Sequence, residues 1–600
     1  MKVEPKYNKL SAIFPENRIY NVPKFQRAYS WQKANIEQFL SDIKYVINNL
    51  ENDPSDHFMG GIVCVKVDNE NRLDERSIFE LVDGQQRLST TVLLISRLIN
   101  YLKALELNDN DSKIRDRRIS KYRNKFMEVT IEEDDIEVSK PKINMSRRDY
   151  DYYKKLVYDD ILNEPKLTSH KLLHSAALTI DKWLKKLLNE LEHSEQLNVS
   201  DNLFKALSQA FNIIIIKMVD VSDAYKLFQV INDRGRSLTS GDLLRAGTLG
   251  MVDAQGASDK VITELENKWD QITSGGAKNT DDKLVAYYTS KTGKSCRKTD
   301  IFQKFNSNFF SGQNSVEDAI RNIAAALDNY EKLLKGGWPY DKSAYSPYQK
   351  NKLRNLTSNF KHTAVIPLLM AALKLREKKF YQLVFMLEKF FFLYRVSLNK
   401  RMTSVISVYR EHIEKINKNS EAYQAVWMLK DLIKLIEKNV TSAEIDAYLD
   451  RLEYMVDGDN RSINYIFKSF EENSRWLESP ERRYKYLYRH AFKGLDKTSH
   501  LFSIEHLYPK NAKENEAINE LEDVKHKLGN LTLLYAQDNT EFSDDAFNSK
   551  KHEYENSRLN TTRPLAKLDD WNLDEYVRRD LELRKKFKKL FSFGVIIDNA

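Results

Sequence analysis

The 600-residue sequence predicts an α+β fold in which helix predominates. Glycine (18) and proline (12) are scarce against averages of about 7% and 5%, which favours long helices over elaborate loops. Apolar residues keep helical spacing through most of 315–456, whereas short apolar runs at 58–65, 78–82 and 211–221 are bounded by turn residues and read as strands. The length exceeds one hydrophobic core, and about 100–200 residues per domain divides it into several units. The expected divisions are 1–250, with a helical insertion at about 105–205, a helical middle region at 251–440, and a C-terminal unit at 441–600.

In chain order, Asn35 to Leu50 reads as a helix, and the runs Phe58–Val65 and Ile78–Val82 as paired strands. The second strand ends in Asp83-Gly84-Gln85-Gln86-Arg87, after which apolar residues at 88, 92, 95, 99 and 102 mark a helix. The stretch 105–205 is helical and strongly charged, with a basic run from Lys113 to Lys125. Phe211 to Val221, with isoleucine at 213–216, suits a strand buried on both faces. Four glycines among polar residues make 251–300 the best linker or loop region. Pro367 suits the first turn of a helix, and the aromatic stretch Phe380 to Tyr394 has the spacing of core packing. A basic helix, Leu573 to Phe591, closes the chain, held down by Trp571, Tyr576 and Leu590.

Composition narrows the function classes. With 41% hydrophobic and 11% aromatic residues the chain is globular rather than disordered. Two cysteines, Cys64 and Cys296, are too few for a disulfide framework or a thiolate zinc site, which fits a reducing cytoplasm. The first residues lack the apolar core of a signal peptide, and the greasiest stretch, Tyr381 to Leu398, contains Glu388, Lys389 and Arg395, so no membrane partner is expected. A net charge of +8 permits nucleic-acid binding without requiring it.

Two constellations carry chemistry. The first is Ser503-Ile504-Glu505-His506-Leu507-Tyr508-Pro509-Lys510, followed by Leu528-Gly529-Asn530-Leu531-Thr532-Leu533-Leu534 and by Asn539. An imidazole that can take a proton from water, beside hard oxygen donors, is what a one-metal phosphodiesterase needs. His506 is the candidate base, and Glu505 and Asn539 are donors suited to Mg²⁺ or Mn²⁺. The second is Asp83 to Arg87. Backbone N–H groups at a helix start attract anions, Gly84 lets a ligand approach, and Arg87 can fork onto phosphate oxygens. By contrast, Thr292-Gly293-Lys294-Ser295 lacks the glycine that a phosphate loop needs five positions before Gly293, where Tyr288 stands.

The C-terminal spacing resembles the asparagine-ended HNH nuclease motif of GmrSD-type restriction enzymes, with Glu505 where the commoner pattern has aspartate. Pro23-Lys24-Phe25-Gln26-Arg27-Ala28-Tyr29-Ser30-Trp31 and Asn232-Asp233-Arg234-Gly235-Arg236-Ser237-Leu238 flank Asp83–Arg87 as in the amino-terminal domains of that family, which are similar to ParB and sulfiredoxin. The resemblance implies a ParB-like first domain, a small ββα-type (HNH-like) nuclease core in the last, and nucleotide-dependent cleavage of modified foreign DNA. It further implies that Gln26, Arg27, Tyr29, Asp83, Gly84, Gln85, Gln86, Arg87, Asn232 and Arg234 line a nucleoside-triphosphate site, and that Asn530 orients the imidazole. The expected partners are DNA, modified phage DNA above all, and a nucleoside triphosphate; a homodimer is allowed for. Lys550, Lys551, Arg584, Lys585 and Lys588 are candidate DNA contacts, because a nuclease must neutralise phosphates. Two alternatives stay open at this point: a ParB-like nucleotide-switched DNA-binding protein with an inactive nuclease region, and an RNA-cleaving HNH toxin.

Overall fold

Charge alternation and helical periodicity dominate the chain, and the computed structural model follows them, describing residues 4–23, 26, 28–50, 57–67, 77–133, 136–218, 239–311, 315–478, 502–514, 517–535 and 545–596. These residues form a predominantly helical α+β protein in two compact units, 1–281 with 299–321 and 282–298 with 322–600.

The first unit is built on a mixed six-stranded sheet. Its strands are β1 (Glu4–Lys9), β2 (Arg18–Asn21), β3 (His57–Val67), β4 (Ser77–Asp83), β7 (Ile143–Asn144) and β8 (Phe211–Met218), in the order β1-β8-β3-β4-β2-β7. β5 (Glu128–Glu133) and β6 (Ile136–Pro141) pair separately as a hairpin. The strand read from four isoleucines, β8, runs antiparallel to β1 and parallel to β3. The predicted pair β3 and β4 is antiparallel, with a register shift between Val63 and Cys64.

Helix α1 (Lys33–Asn49) and helix α2 (Gln85–Lys103) pack with helices α3 (Asp109–Tyr122), α4 (Arg147–Val157), α5 (Thr168–Leu188) and α6 (His193–Lys205) around one apolar cluster. In α2 the residues at 88, 92, 95, 99 and 102 are all buried, as their spacing requires. The basic run 113–125 lies mostly on α3, where Arg118 donates to the Leu197 carbonyl and Lys121 lies 4.7 Å over the Phe204 ring.

The segment 251–300 is not a loop. It is largely helical, with α7 (Ser240–Ala254), α8 (Asp259–Thr273) and α9 (Ala277–Thr292) in succession. Ile262, Leu265, Trp269 and Ile272 bury one face of α8, and the glycines at 256, 275, 276 and 293 punctuate helix ends with positive φ. Gly293 therefore stops α9 at its C-terminal end, the wrong end of a helix for a phosphate loop.

In the second unit, α10 (Pro347–Arg354), α11 (Ile366–Ala372), α12 (Glu377–Phe391), α13 (Thr403–Lys418), α14 (Ala425–Asn439), α15 (Ser442–Arg451) and α16 (Arg461–Glu472) precede an antiparallel pair, β9 (Phe502–His506) and β10 (Leu531–Tyr535). Pro367 sits in the first turn of α11, and the aromatic residues of α12 are buried in the core. Helix α17 (Phe547–Asn556) and helix α18 (Leu573–Phe591) complete the unit. Among the described residues no helix is long and apolar enough to cross a membrane.

Candidate functional site

In the first unit, β4 ends at Asp83 and Gly84 turns the chain into α2 with φ +98°. A Cβ at Gly84 would lie 2.6 Å from the Ile62 Cγ1, so the turn needs glycine on both conformational and steric grounds. Arg87 closes back on the sheet, donating to the Gly61 carbonyl and standing 3.6 Å from the Asp83 carboxylate.

The flanking segment folds onto the same corner. Gln26 Nε2 donates to the Val82 carbonyl at 2.7 Å, and the Ser30 amide donates to Gln86 Oε1 at 2.9 Å. The Tyr29 hydroxyl meets Thr90 Oγ1 at 2.8 Å, while its amide donates to the buried Asp149 carboxylate. The structure thus gathers Gln26, Tyr29, Asp83, Gly84, Gln85, Gln86 and Arg87 at one helix start. Arg27, Asn232 and Arg234 lie outside the described residues.

The chemistry of this corner is unfinished. Gln85 is 3% exposed, yet among the described residues neither of its carboxamide atoms has a hydrogen-bond partner, and nor does Gln86 Nε2. A buried amide left unpaired costs about 1–3 kcal/mol. No side chain caps α2 either. Orphaned amides beside free helix N–H groups suit a polar, anionic ligand.

In the second unit, alternation along β9 sends Glu505 and His506 to opposite faces. His506, 5% exposed, meets His526, its Nε2 lying 3.2 Å from His526 Nδ1. Tyr454 stands edge-on to the His506 ring at 4.8 Å, and its amide donates to the His526 carbonyl, holding the second histidine in place. Burial and the neighbouring cationic groups, His526 first and then Lys550, Lys510 and Lys525, push the His506 pKa down to about 3. Burial likewise lowers that of His526. Both rings are accordingly neutral near pH 7. A lone histidine between Lys525 and Lys527 gives no local sequence signal, and His526 was not among the predicted residues.

Three expectations need correction here. Asn530 does not address the imidazole: its Oδ1 accepts from the Tyr508 amide and Trp571 Nε1, and its Nδ2 donates to the Tyr508 and Lys525 carbonyls. It fixes the loop that leaves β9 instead, and its own carbonyl accepts the Leu507 amide. Glu505 is not presented to a cation, because the Lys550 ammonium holds its carboxylate at 2.5 Å inside the domain. Lys550 is correspondingly buried rather than facing phosphate.

Asn539 lies outside the described residues. Among the described residues no group of three or more His, Cys, Asp or Glu converges as a metal site.

The basic C-terminal helix is also more structural than expected. Lys588 is buried against Asp446, and Arg584 is tied to Asp446, Asp450 and Asp580. Lys551 donates to the Asp569 carbonyl, whereas Lys585 is exposed.

Comparison with known families gives two matches. Residues 10–249 match the GmrSD restriction endonuclease N-terminal domain, and residues 443–586 match the GmrSD restriction endonuclease C-terminal domain. A search of curated proteins finds no match. The first match contains the Gly84 corner and the second contains the histidine pair. Together they span well over half of the sequence, and the chain belongs to the GmrSD restriction endonuclease family.

Proposed function

We propose that the protein is a nucleotide-dependent endonuclease of the type IV class, cleaving modified foreign DNA from an HNH-like centre under the control of a ParB-like nucleotide-binding domain. The observation that carries the nuclease reading is the His506–His526 contact at the end of the β9–β10 pair. A strand pair followed by helix α17 is the order of elements that a ββα nuclease core uses.

His506 serves as the general base. A proton taken from water at its Nδ1 leaves Nε2–H donated to His526 Nδ1, so the second ring stabilises the imidazolium that forms. The depressed pKa belongs to the free protein. An incoming phosphate offsets the cationic field of Lys510, Lys525 and Lys550 and raises the basicity of the pair. Asn530 and Trp571 keep the loop after His506 rigid, which fixes the direction of attack. Dependence on Mg²⁺ or Mn²⁺ rests on the family resemblance.

Nucleotide binding rests on the orphaned carboxamides of Gln85 and Gln86. A triphosphate oxygen and a base or ribose edge would satisfy groups that the free protein leaves unpaired.

The test is plasmid nicking by His506→Ala with Mg²⁺ or Mn²⁺ present, using modified and unmodified DNA. Loss of a positioned base should slow cleavage by about 10²–10⁴-fold while DNA binding persists. Nicking at the parental rate would end the nuclease assignment.

A further inference from the structure

The second unit contains a cavity of about 720 Å³ to which neither constellation in the sequence points. Its walls come from α10, α12 and α16 with the segment 355–360, and its volume is in the range of small-molecule sites.

The floor is charged. Lys352, Glu388 and Lys389 line it and are buried, and Glu472 stands behind them, with Lys352 Nζ 2.7 Å from Glu472 and 3.7 Å from Glu388, and Lys389 Nζ 3.5 Å from Glu388. Ser469 Oγ accepts from Lys389 at 3.0 Å.

Above this floor the lining is built for recognition. The rings of Phe360 and Tyr465 meet edge to face at 5.1 Å, and both are only half-buried. Asn355 Nδ2 donates to Glu388, and Asn359 Nδ2 donates to Asn355 Oδ1. Asn351 and Asn464 add further carboxamides. Lys468 is different from the floor lysines. Among the described residues no carboxylate pairs with it, and burial alone lowers its pKa. A desolvated ammonium without a counter-ion, next to aromatic faces and carboxamide edges, matches a ligand that joins a phosphate to a flat, edge-polar ring.

We propose that this cavity binds a nucleoside phosphate: Lys468 takes the phosphate, Phe360 stacks on the ring while Tyr465 meets it edge-on, and the asparagines read its edge. The ligand is either one nucleotide unit of the DNA substrate or a free nucleotide. In the first case the proposal rests on the nuclease reading above, and in the second it stands apart from it.

The test is equilibrium binding to the full-length protein of the four deoxynucleoside 5′-monophosphates, their nucleosides, ATP and a short single-stranded oligonucleotide. Lys468→Ala should weaken phosphate-bearing ligands by about tenfold or more and leave nucleosides unaffected. Lys468→Arg should retain binding, and Phe360→Ala should weaken nucleosides and nucleotides alike. Melting temperatures establish that each variant is folded.

Oligonucleotide binding without mononucleotide binding assigns the cavity to DNA, and the reverse assigns it to a free effector. Gln85→Leu separates the two sites. If it abolishes all nucleotide binding while Lys468→Ala and Phe360→Ala change none, the cavity proposal is overturned and the first-unit reading survives. If neither set of variants alters binding, both fall.

Discussion

At the scale of single residues, the most consequential pair is Glu505 with Lys550. Both side chains are almost fully buried, so removing one strips the other of a close opposite charge inside the domain. Lys550→Met should destabilise the second unit by about 3–5 kcal/mol, and pairing it with Glu505→Gln should restore much of the loss. Chemical denaturation of the single and double variants measures this; equal stability of Lys550→Met and parent would refute it. The burial of Lys550 was legible in principle. Residues 547, 550 and 554 share one helical face, and Phe547 and Tyr554 are both apolar and buried. Reading Lys550-Lys551 as a basic pair obscured that periodicity. Gln85 offers a second residue-scale prediction. Gln85→Leu removes an unpaired buried amide and should leave the free protein as stable as the parent or more so. It should also remove the first unit's share of the rise in melting temperature that a triphosphate produces, and a shift equal to the parent's would count against the nucleotide site.

Among elements, the turn between β4 and α2 was the clearest in the sequence and the least tolerant of change. Apolar alternation gave the strand, helical spacing gave the helix, and glycine marked the junction. Gly84→Ala must adopt φ +98° and place a methyl group against Ile62, at a cost of about 1–3 kcal/mol. It should lower both melting temperature and nucleotide affinity, and unaltered affinity would dissociate the corner from binding. Other elements carried weaker signals. β1, with lysines at 6 and 9, is held by its antiparallel register with β8, a partner 200 residues away that no local window can see. The hairpin of β5 and β6 is rich in glutamate and was absorbed into a stretch read as helical. In 251–300 the glycines suggested loop, whereas they cap successive helices. His526 is found by folding alone, since Tyr454 and the turn before β10 bring it to His506.

For the molecule as a whole, acid sensitivity should concentrate in the second unit. Burial lowers the pKa of His362 to about 3, of His412 to about 4 and of His506 to about 3. In the unfolded chain each titrates near 6.5, so between that value and the folded pKa the unfolded state binds more protons. Their stabilising contribution is therefore complete above pH 6.5 and falls as pH drops towards 4. At pH 5 each histidine should have lost about 2 kcal/mol. Denaturation midpoints between pH 7 and 4.5 test this, and replacing His412 with glutamine should flatten the profile. The aromatic core, the long helices and the closing basic helix all followed from periodicity. The roles of the basic residues did not, because Arg584 and Lys588 meet acidic partners on α15 that lie more than 100 positions earlier.

One carboxylate in α16 links the cavity helix to β10. Glu471 accepts the amides of Asn560 and Thr561 as well as their side chains, and the next residue, Thr562, bonds to Thr532 and to the Leu533 carbonyl of β10. All four bonds depend on the one carboxylate. Deuterium uptake at positions 560 and 561 should accordingly share a single protection factor, and Glu471→Gln should release both while quickening exchange along β10. The strand opposite His506 is thus tied to the cavity helix through Glu471, Thr561 and Thr562.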